Sequence, residues 1–324
     1  MILKLQPTRV YRSYFGGQNL DAFENKDNPE ISRFPEDWLA SVTEAFNPDR
    51  QQKNEGLSVT EDGQVLKDII EADKKAMIGD RENMSLLFKL LDSAERLVIQ
   101  AHPTKEFSKK HFNSPYGKTE CWYILNDGGE VYIGFKEGVT KELWKSLFEK
   151  QDVEKMLSCL HKFKVKKGDF IFVAGGVPHA IGKNCFLAEL QEPTDLMVIP
   201  EKVTPSGVVL AEQKLHGGLG FDKMFDCFNY DGLSESETKE KYFLKAERIS
   251  EFEVELLNCA MFRLSQIDVS DSVVFNPESY GIAVVVEGAI SMNGIGLKQG
   301  ERVFISENEK LSLSGKGKLL LCRP

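Results

Sequence analysis

A chain of 324 residues with 41% hydrophobic content can bury a substantial core and exceeds the usual size of a single domain. Its net charge of -9 argues against nucleic acid or an anionic membrane as the main partner, since either selects a basic patch. No stretch is apolar for long enough to span a bilayer, and the start, Met1-Ile-Leu-Lys-Leu-Gln-Pro7, lacks the apolar region of a secretion signal, so the expected compartment is the cytoplasm.

In chain order, residues 1 to about 60 read as short strands and loops with a helix over 36–46, and the polar, acidic stretch 19–28 reads as a surface loop. Residues 67–73 and 83–91 have helical spacing. The stretch 96–102, Arg-Leu-Val-Ile-Gln-Ala-His, alternates and is rich in aliphatic residues, which predicts a strand. Residues 120–125, Glu-Cys-Trp-Tyr-Ile-Leu, predict a second strand with one face buried. Helical spacing returns over 140–160, with Thr140 as a cap and Leu143, Leu147, Met156 and Leu160 as candidate core positions. A third site strand over 168–173 runs into the glycine-rich bend Ala174-Gly-Gly-Val-Pro178. Helices that decorate strands rather than alternate with them disfavour a parallel α/β sheet.

Past the polar, acidic run 231–240, short alternating stretches such as Gly281-Ile-Ala-Val-Val-Val286 and Lys318-Leu-Leu-Leu-Cys322 are separated by glycine-bearing turns. They predict a small antiparallel β unit, and a domain boundary falls in the polar run: residues 1–230, then 231–324. The six cysteines form no Cys-x-x-Cys pair, which points to reduced thiols. Cys121 and Cys185 read as small buried hydrophobes, and His111 and His161, set among lysines, as solvent-facing.

The chemistry concentrates in four residues. Side chains of a strand alternate faces, so Gln100 and His102 point to one side. Glu120 opens the second strand, and His179 follows the glycine-rich bend. Two imidazoles, a carboxylate and an amide oxygen make a donor set hard enough for a sugar oxygen and still suited to Zn2+, with manganese or iron able to use the same ligands. Taken singly, each has a blander reading: His102 before Pro103 as a strand-end imidazole, Glu120 as a solvated carboxylate.

Gly168 followed by Ala174-Gly-Gly-Val-Pro-His179 and Asn184 resembles the second metal motif of the cupin superfamily. Four segments, Leu86-Leu-Phe-Lys-Leu-Leu91, Val98-Ile-Gln-Ala-His-Pro103, Gly117-Lys-Thr-Glu-Cys-Trp-Tyr123 and Glu189-Leu-Gln-Glu-Pro-Thr-Asp195, resemble type I phosphomannose isomerase in the same order, as does Glu36-Asp-Trp-Leu-Ala-Ser41 upstream. The resemblance implies a mainly β chain of two cupin-like (jelly-roll) barrels with helical decorations; the second, which contains no histidine, is expected to be metal-free. It implies a zinc-dependent aldose–ketose isomerase acting on mannose 6-phosphate, with Gln100, His102, Glu120 and His179 as metal ligands. Lys89, Lys118 and Asp195 match substrate-pocket positions, and Glu189 matches a downstream acidic one.

For these residues the expected chemistry is proton transfer through an enediolate, with Lys118 neutralising developing charge and Glu189 or a metal-bound water moving protons. Solvated or structural readings stand beside both. His216 matches a histidine of the family and reads first as structural. Two positions depart from the pattern: Ile199 stands where the family uses an arginine near the sugar phosphate, and Val98 where it often has serine. Either Lys89, Lys118, Arg12 or Lys202 takes the anion, or the substrate is an unphosphorylated sugar. A metal-bearing carbohydrate-binding protein without turnover is the third reading.

Overall fold

The computed structural model describes residues 1–324 except positions 48, 49 and 51. Among the described residues the strands form three antiparallel sheets. A six-stranded sheet runs in the order Arg9–Val10, Glu36–Leu39, Leu87–Asp92, Phe186–Gln191, Glu120–Ile124, Phe170–Val173. A three-stranded sheet of Leu160–Val165, Gly129–Phe135 and His179–Ile181 packs over one face of it. Trp122, Ile171 and Leu187 from the first sheet meet Val131, Ile133 and Phe163 from the second in a shared core. The arrangement is mainly β with helices around it, as the sequence predicts.

The remaining strands build a nine-stranded sheet, and it includes Ile2–Leu5, which pairs with Arg302–Ile305. The chain therefore begins in the sheet that its last residues complete. Opposite faces of the six-stranded sheet have different tasks, because side chains alternate along each strand. Leu39, Phe88, Leu90, Cys121 and Leu190 pack in one core with Phe262, Tyr280, Ile282 and Phe304 of the nine-stranded sheet. The other face carries the site described below.

Several predicted elements change type. Residues 36–39 form a strand, not the start of a helix, because period-two alternation sends Glu36 and Trp38 to one face and Asp37 and Leu39 to the other. Residues 87–92 are likewise a strand, buried at every position; a short apolar run buried on both sides has no periodicity to separate helix from strand. Residues 67–73 do form a helix, Leu66–Ala72. The stretch 19–28 contains a short helix, Asn19–Phe23, held down by buried Leu20 and Phe23.

Thr140 caps Lys141–Lys150 through its side chain, as expected, but Gln151 in a left-handed conformation ends that helix. Val153–Ser158 follows, and Leu160 belongs to a strand. Within the first helix Trp144, Leu147 and Phe148 are buried, while Leu143 is exposed. The polar run 231–240 carries a helix, Glu235–Tyr242, with a complete capping box at Ser234 and Glu237. His161 is buried rather than solvent-facing, its Nε2 2.8 Å from the Leu233 carbonyl. All six cysteines are free thiols. No described helix is long and apolar enough to cross a membrane.

One ionic cluster ties the two large sheets together. Arg302 of the nine-stranded sheet reaches Asp37 at 2.7 Å and also pairs with Glu24, with all three side chains almost fully buried. Removing one partner of such a group strands buried charge. Arg302→Met should cost about 3–5 kcal/mol of unfolding free energy in urea titrations; a loss well under 1 kcal/mol would mean that the cluster does not hold the sheets together.

Candidate active site

Cross-strand register aligns the site. Trp38 stands opposite Lys89, Lys89 opposite Glu189, and Glu189 opposite Trp122. Directly paired residues of an antiparallel sheet share a face, so this row and its neighbours two residues away, Glu36 and Glu120, project to the same side. A cavity of about 440 Å³ lies there, with Arg12, Glu36, Lys89, Gln100, Lys118 and Glu189 in its wall.

His179 opens the strand His179–Ile181 and is bridged on one side by Ile133 and on the other by Gln100. The segment 96–102 is extended but is not the regular strand that its alternation predicts. It makes single bridges at Gln100 and Ala101, and the Ile99 amide donates to Glu201 Oε1 at 2.5 Å instead of to a neighbouring strand. Glu201 also grips Arg96 with two oxygens, at 2.6 and 2.8 Å. This buried carboxylate was not legible in the sequence, yet it fixes the segment that carries Gln100 and His102.

His102, Glu120 and His179 offer ligand atoms that all lie within 4.8 Å of one another, and all three side chains are buried. Each imidazole is oriented from behind. His102 Nδ1 is 3.0 Å from the Leu196 carbonyl and His179 Nδ1 is 2.9 Å from the Val177 carbonyl. A carbonyl can only accept, so each Nδ1 carries the proton and each Nε2 turns a lone pair inward, the arrangement that metal-ligating histidines adopt. Burial holds both rings neutral, pushing the His179 pKa down to about 3 and lowering that of His102.

Glu120 completes the set. Trp122 Nε1 donates to its Oε1 at 3.0 Å, and its Oε2 is 3.1 Å from His102 Nε2 and 3.2 Å from Lys118 Nζ. Burial opposes its ionisation, but the Lys118 ammonium overcomes that and holds its carboxyl well below the usual range. His179 Nε2 is buried without a hydrogen-bond partner, and Glu120 Oε2 has the ion pair with Lys118 but no hydrogen bond. Buried polar atoms that converge unsatisfied fit a cation, and two neutral imidazoles with one carboxylate suit a divalent metal with room left for substrate. Gln100 lines the same cavity and pairs through its backbone with His179.

Lys118 lies 3.0 Å from His102 Nε2. The segment that carries it into the strand Glu120–Ile124 is held by Glu192, whose two oxygens accept the amides of Gly117 and Thr119 at 3.1 and 2.9 Å. Lys89 sits between two carboxylates, 3.3 Å from Glu189 and 3.7 Å from Glu36. Burial raises the Glu189 pKa, with the nearby Glu120 charge adding to the effect and Lys89 opposing it. Glu36 is a hub: Tyr14 Oη, Trp38 Nε1 and Arg12 Nε donate to it at 2.7, 2.8 and 3.0 Å. Its signal was in the sequence, in Glu36-Asp-Trp38, but a helix assignment there hid the shared face. Tyr14 had no signal.

Asp195 contacts Arg12 across the cavity wall, at 3.1 Å from Nη1. Ile199 is buried among Leu210 and Leu215 in an apolar part of the lining. Lys202 does not line the cavity; its ammonium lies over the Phe148 ring, 4.9 Å from the centroid. His216 takes the structural role, its Nδ1 accepting the amides of Gly218 and Gly220 at 3.0 and 3.2 Å. Phe225 and Phe228 are core residues.

The fold is that of solved mannose 6-phosphate isomerases. The Bacillus subtilis enzyme superposes with a TM-score of 0.79 at 20% identity, over 100% of this chain and 99% of that one. A mannose 6-phosphate isomerase bound with zinc and yttrium gives 0.77 at 17% identity, over 99% and 98%. Residues 3–137 match the family model of the type I phosphomannose isomerase catalytic domain. Over 119 residues the chain is 39% identical to the mannose-6-phosphate isomerase ManA of Bacillus subtilis, 36% of each protein. Over 147 residues it is 33% identical to the mannose-6-phosphate isomerase of Streptococcus mutans, 43% of this chain and 45% of the relative. These matched segments thus span under half the length of the curated relatives.

His179→Ala should leave less than about a tenth of the wild-type divalent metal content after dialysis, since losing even the hydrogen-bond partner of a ligand costs about 10- to 100-fold in affinity. Elemental analysis of the purified protein checks this, and wild-type stoichiometry in the variant would rule His179 out as a ligand.

Proposed function

We propose that the chain is a metal-dependent aldose–ketose isomerase that interconverts mannose 6-phosphate and fructose 6-phosphate in the cytoplasm. The observation that carries the reading is the buried cluster of His102, Glu120 and His179 lying directly behind a cavity lined by Gln100, Lys118 and Glu189, with Lys118 Nζ 3.2 Å from Glu120 Oε2 and 3.0 Å from His102 Nε2. The match of residues 3–137 to the catalytic domain of type I phosphomannose isomerases, and the enzymes named above, support it. Zn2+ is the proposed cofactor, held by His102, Glu120, His179 and Gln100; when bound it would supply a Lewis acid for the sugar carbonyl. The catalytic unit is assigned to residues 1–230 and a metal-free cupin-like unit to 231–324, with Ile2–Leu5 lending its strand to the latter's sheet.

Isomerisation moves a proton between C1 and C2 and passes through an enediolate. Lys118 has the position to neutralise that charge, because its ammonium already lies among the donors of the cluster. Glu189 has the chemistry of a proton carrier: a carboxyl raised by burial is a stronger base when ionised than an ordinary one. Lys89 keeps it in place through the 3.3 Å contact. The apolar wall that includes Ile199 limits the water that could compete for the intermediate.

A second reading, an isomerase of an unphosphorylated sugar such as free mannose or lyxose, draws on Ile199 and Val98, which offer no charge to an anion. A coupled assay with mannose 6-phosphate and with free mannose, before and after chelation, separates the two. The main reading expects chelator-sensitive turnover of the phosphate, and turnover of the free sugar alone would replace it. Lys118→Met should lower kcat by about 100-fold or more while metal content stays at the wild-type level; unchanged turnover would remove Lys118 from the chemistry.

A further inference from the structure

Resting on the reading of a sugar phosphate substrate, we infer that Arg12 is the residue that binds the substrate's phosphoryl group, and that Asp195 occupies its guanidinium fork until the substrate arrives. A buried dianion needs a cation with donors to give. Lys118 is committed to Glu120 and His102. Lys89 is shared between Glu189 and Glu36. Arg96 is gripped by Glu201 at 2.6 and 2.8 Å, and the same carboxylate takes the Ile99 amide, so that pair is locked into the backbone.

Arg12 is held differently on its two sides. Its Nε donates to Glu36, a carboxylate that Tyr14 and Trp38 also hold, and its guanidinium lies over the Trp38 ring at 5.1 Å from the centroid. That side is fixed. The other edge, Nη1 and Nη2, faces Asp195 at 3.1 and 3.4 Å, longer than the 2.7–2.9 Å of a tight charge-assisted bond. Asp195 lies outside the regular strands, and its further anchor is the Phe46 amide at 3.3 Å. Both residues line the cavity.

A carboxylate across a guanidinium edge marks where two anionic oxygens fit, and a phosphoryl group presents the same pair with more charge. Substrate would therefore displace the Asp195 carboxylate without moving Arg12. Arg12 is then a binding residue, and Asp195 a competitor that tunes affinity.

Opposite effects of two substitutions test this. Arg12→Gln should raise KM for mannose 6-phosphate by about 10- to 100-fold, the loss expected for a charge-assisted pair, with kcat changed less than threefold. Asp195→Asn should move the other way, lowering KM and strengthening inhibition by inorganic phosphate. Arg12→Lys keeps the charge without the fork and should fall between wild type and Arg12→Gln. An independent readout is the melting temperature of the metal-loaded protein on addition of inorganic phosphate: raised in wild type, unchanged in Arg12→Gln, raised further in Asp195→Asn. If Arg12→Gln leaves both KM and the phosphate response at wild-type values, or if both substitutions weaken phosphate alike, the assignment is overturned even with mannose 6-phosphate as the substrate. Wild-type turnover of free mannose without any phosphate response would overturn the substrate reading together with it.

Discussion

Two hydrogen bonds from behind the site set what the rest of it can do. The carbonyls of Leu196 and Val177 face Nδ1 of His102 and His179, which fixes the tautomer and turns both Nε2 lone pairs toward Glu120. Without those carbonyls each ring could flip or change tautomer, and the donor set would lose its convergence. Both carbonyls belong to connecting segments, Val177 just ahead of the strand His179–Ile181 and Leu196 two residues ahead of the Ala101–Val198 bridge, so the backbone path, and not the ligand types alone, orients the two rings.

The same logic extends outward as alternation of charge. Along a buried wall each ionised group needs an opposite partner, and the residues supply them in sequence: Arg12 with Glu36, Glu36 with Lys89, Lys89 with Glu189. Register makes this possible, because Lys89 and Glu189 are paired across two strands whose other faces form the core with the nine-stranded sheet. Arg302 joins that sheet to Asp37, on the strand that carries Glu36 and Trp38. The nine-stranded sheet thus braces the cavity wall from behind.

How much of this was legible in the sequence follows from where each signal lies. His102, Glu120 and His179 stand at the ends or starts of segments whose alternation is unmistakable, and their order matches a known pattern, so the cluster could be drawn in advance. Glu36 was hidden because a strand of four residues, Glu36–Leu39, buried on both faces, has no hydrophobic period to announce it. The strand Leu87–Asp92 failed for the same reason. Glu201 and Glu192 were invisible because they act on backbone amides distant in sequence, Ile99 and Thr119. His161 looked exposed among lysines, but a two-residue period puts it inward while Lys162 and Lys164 point out.

The central claim, that a single divalent ion is held by the inward-facing Nε2 atoms and Glu120, is tested most directly by anomalous diffraction at the zinc edge on crystals of the metal-loaded protein. The account predicts one strong peak about 2.0–2.2 Å from His102 Nε2, His179 Nε2 and a Glu120 oxygen. A peak elsewhere, coordination through Nδ1, or zinc-loaded crystals with no peak among these three residues would contradict it.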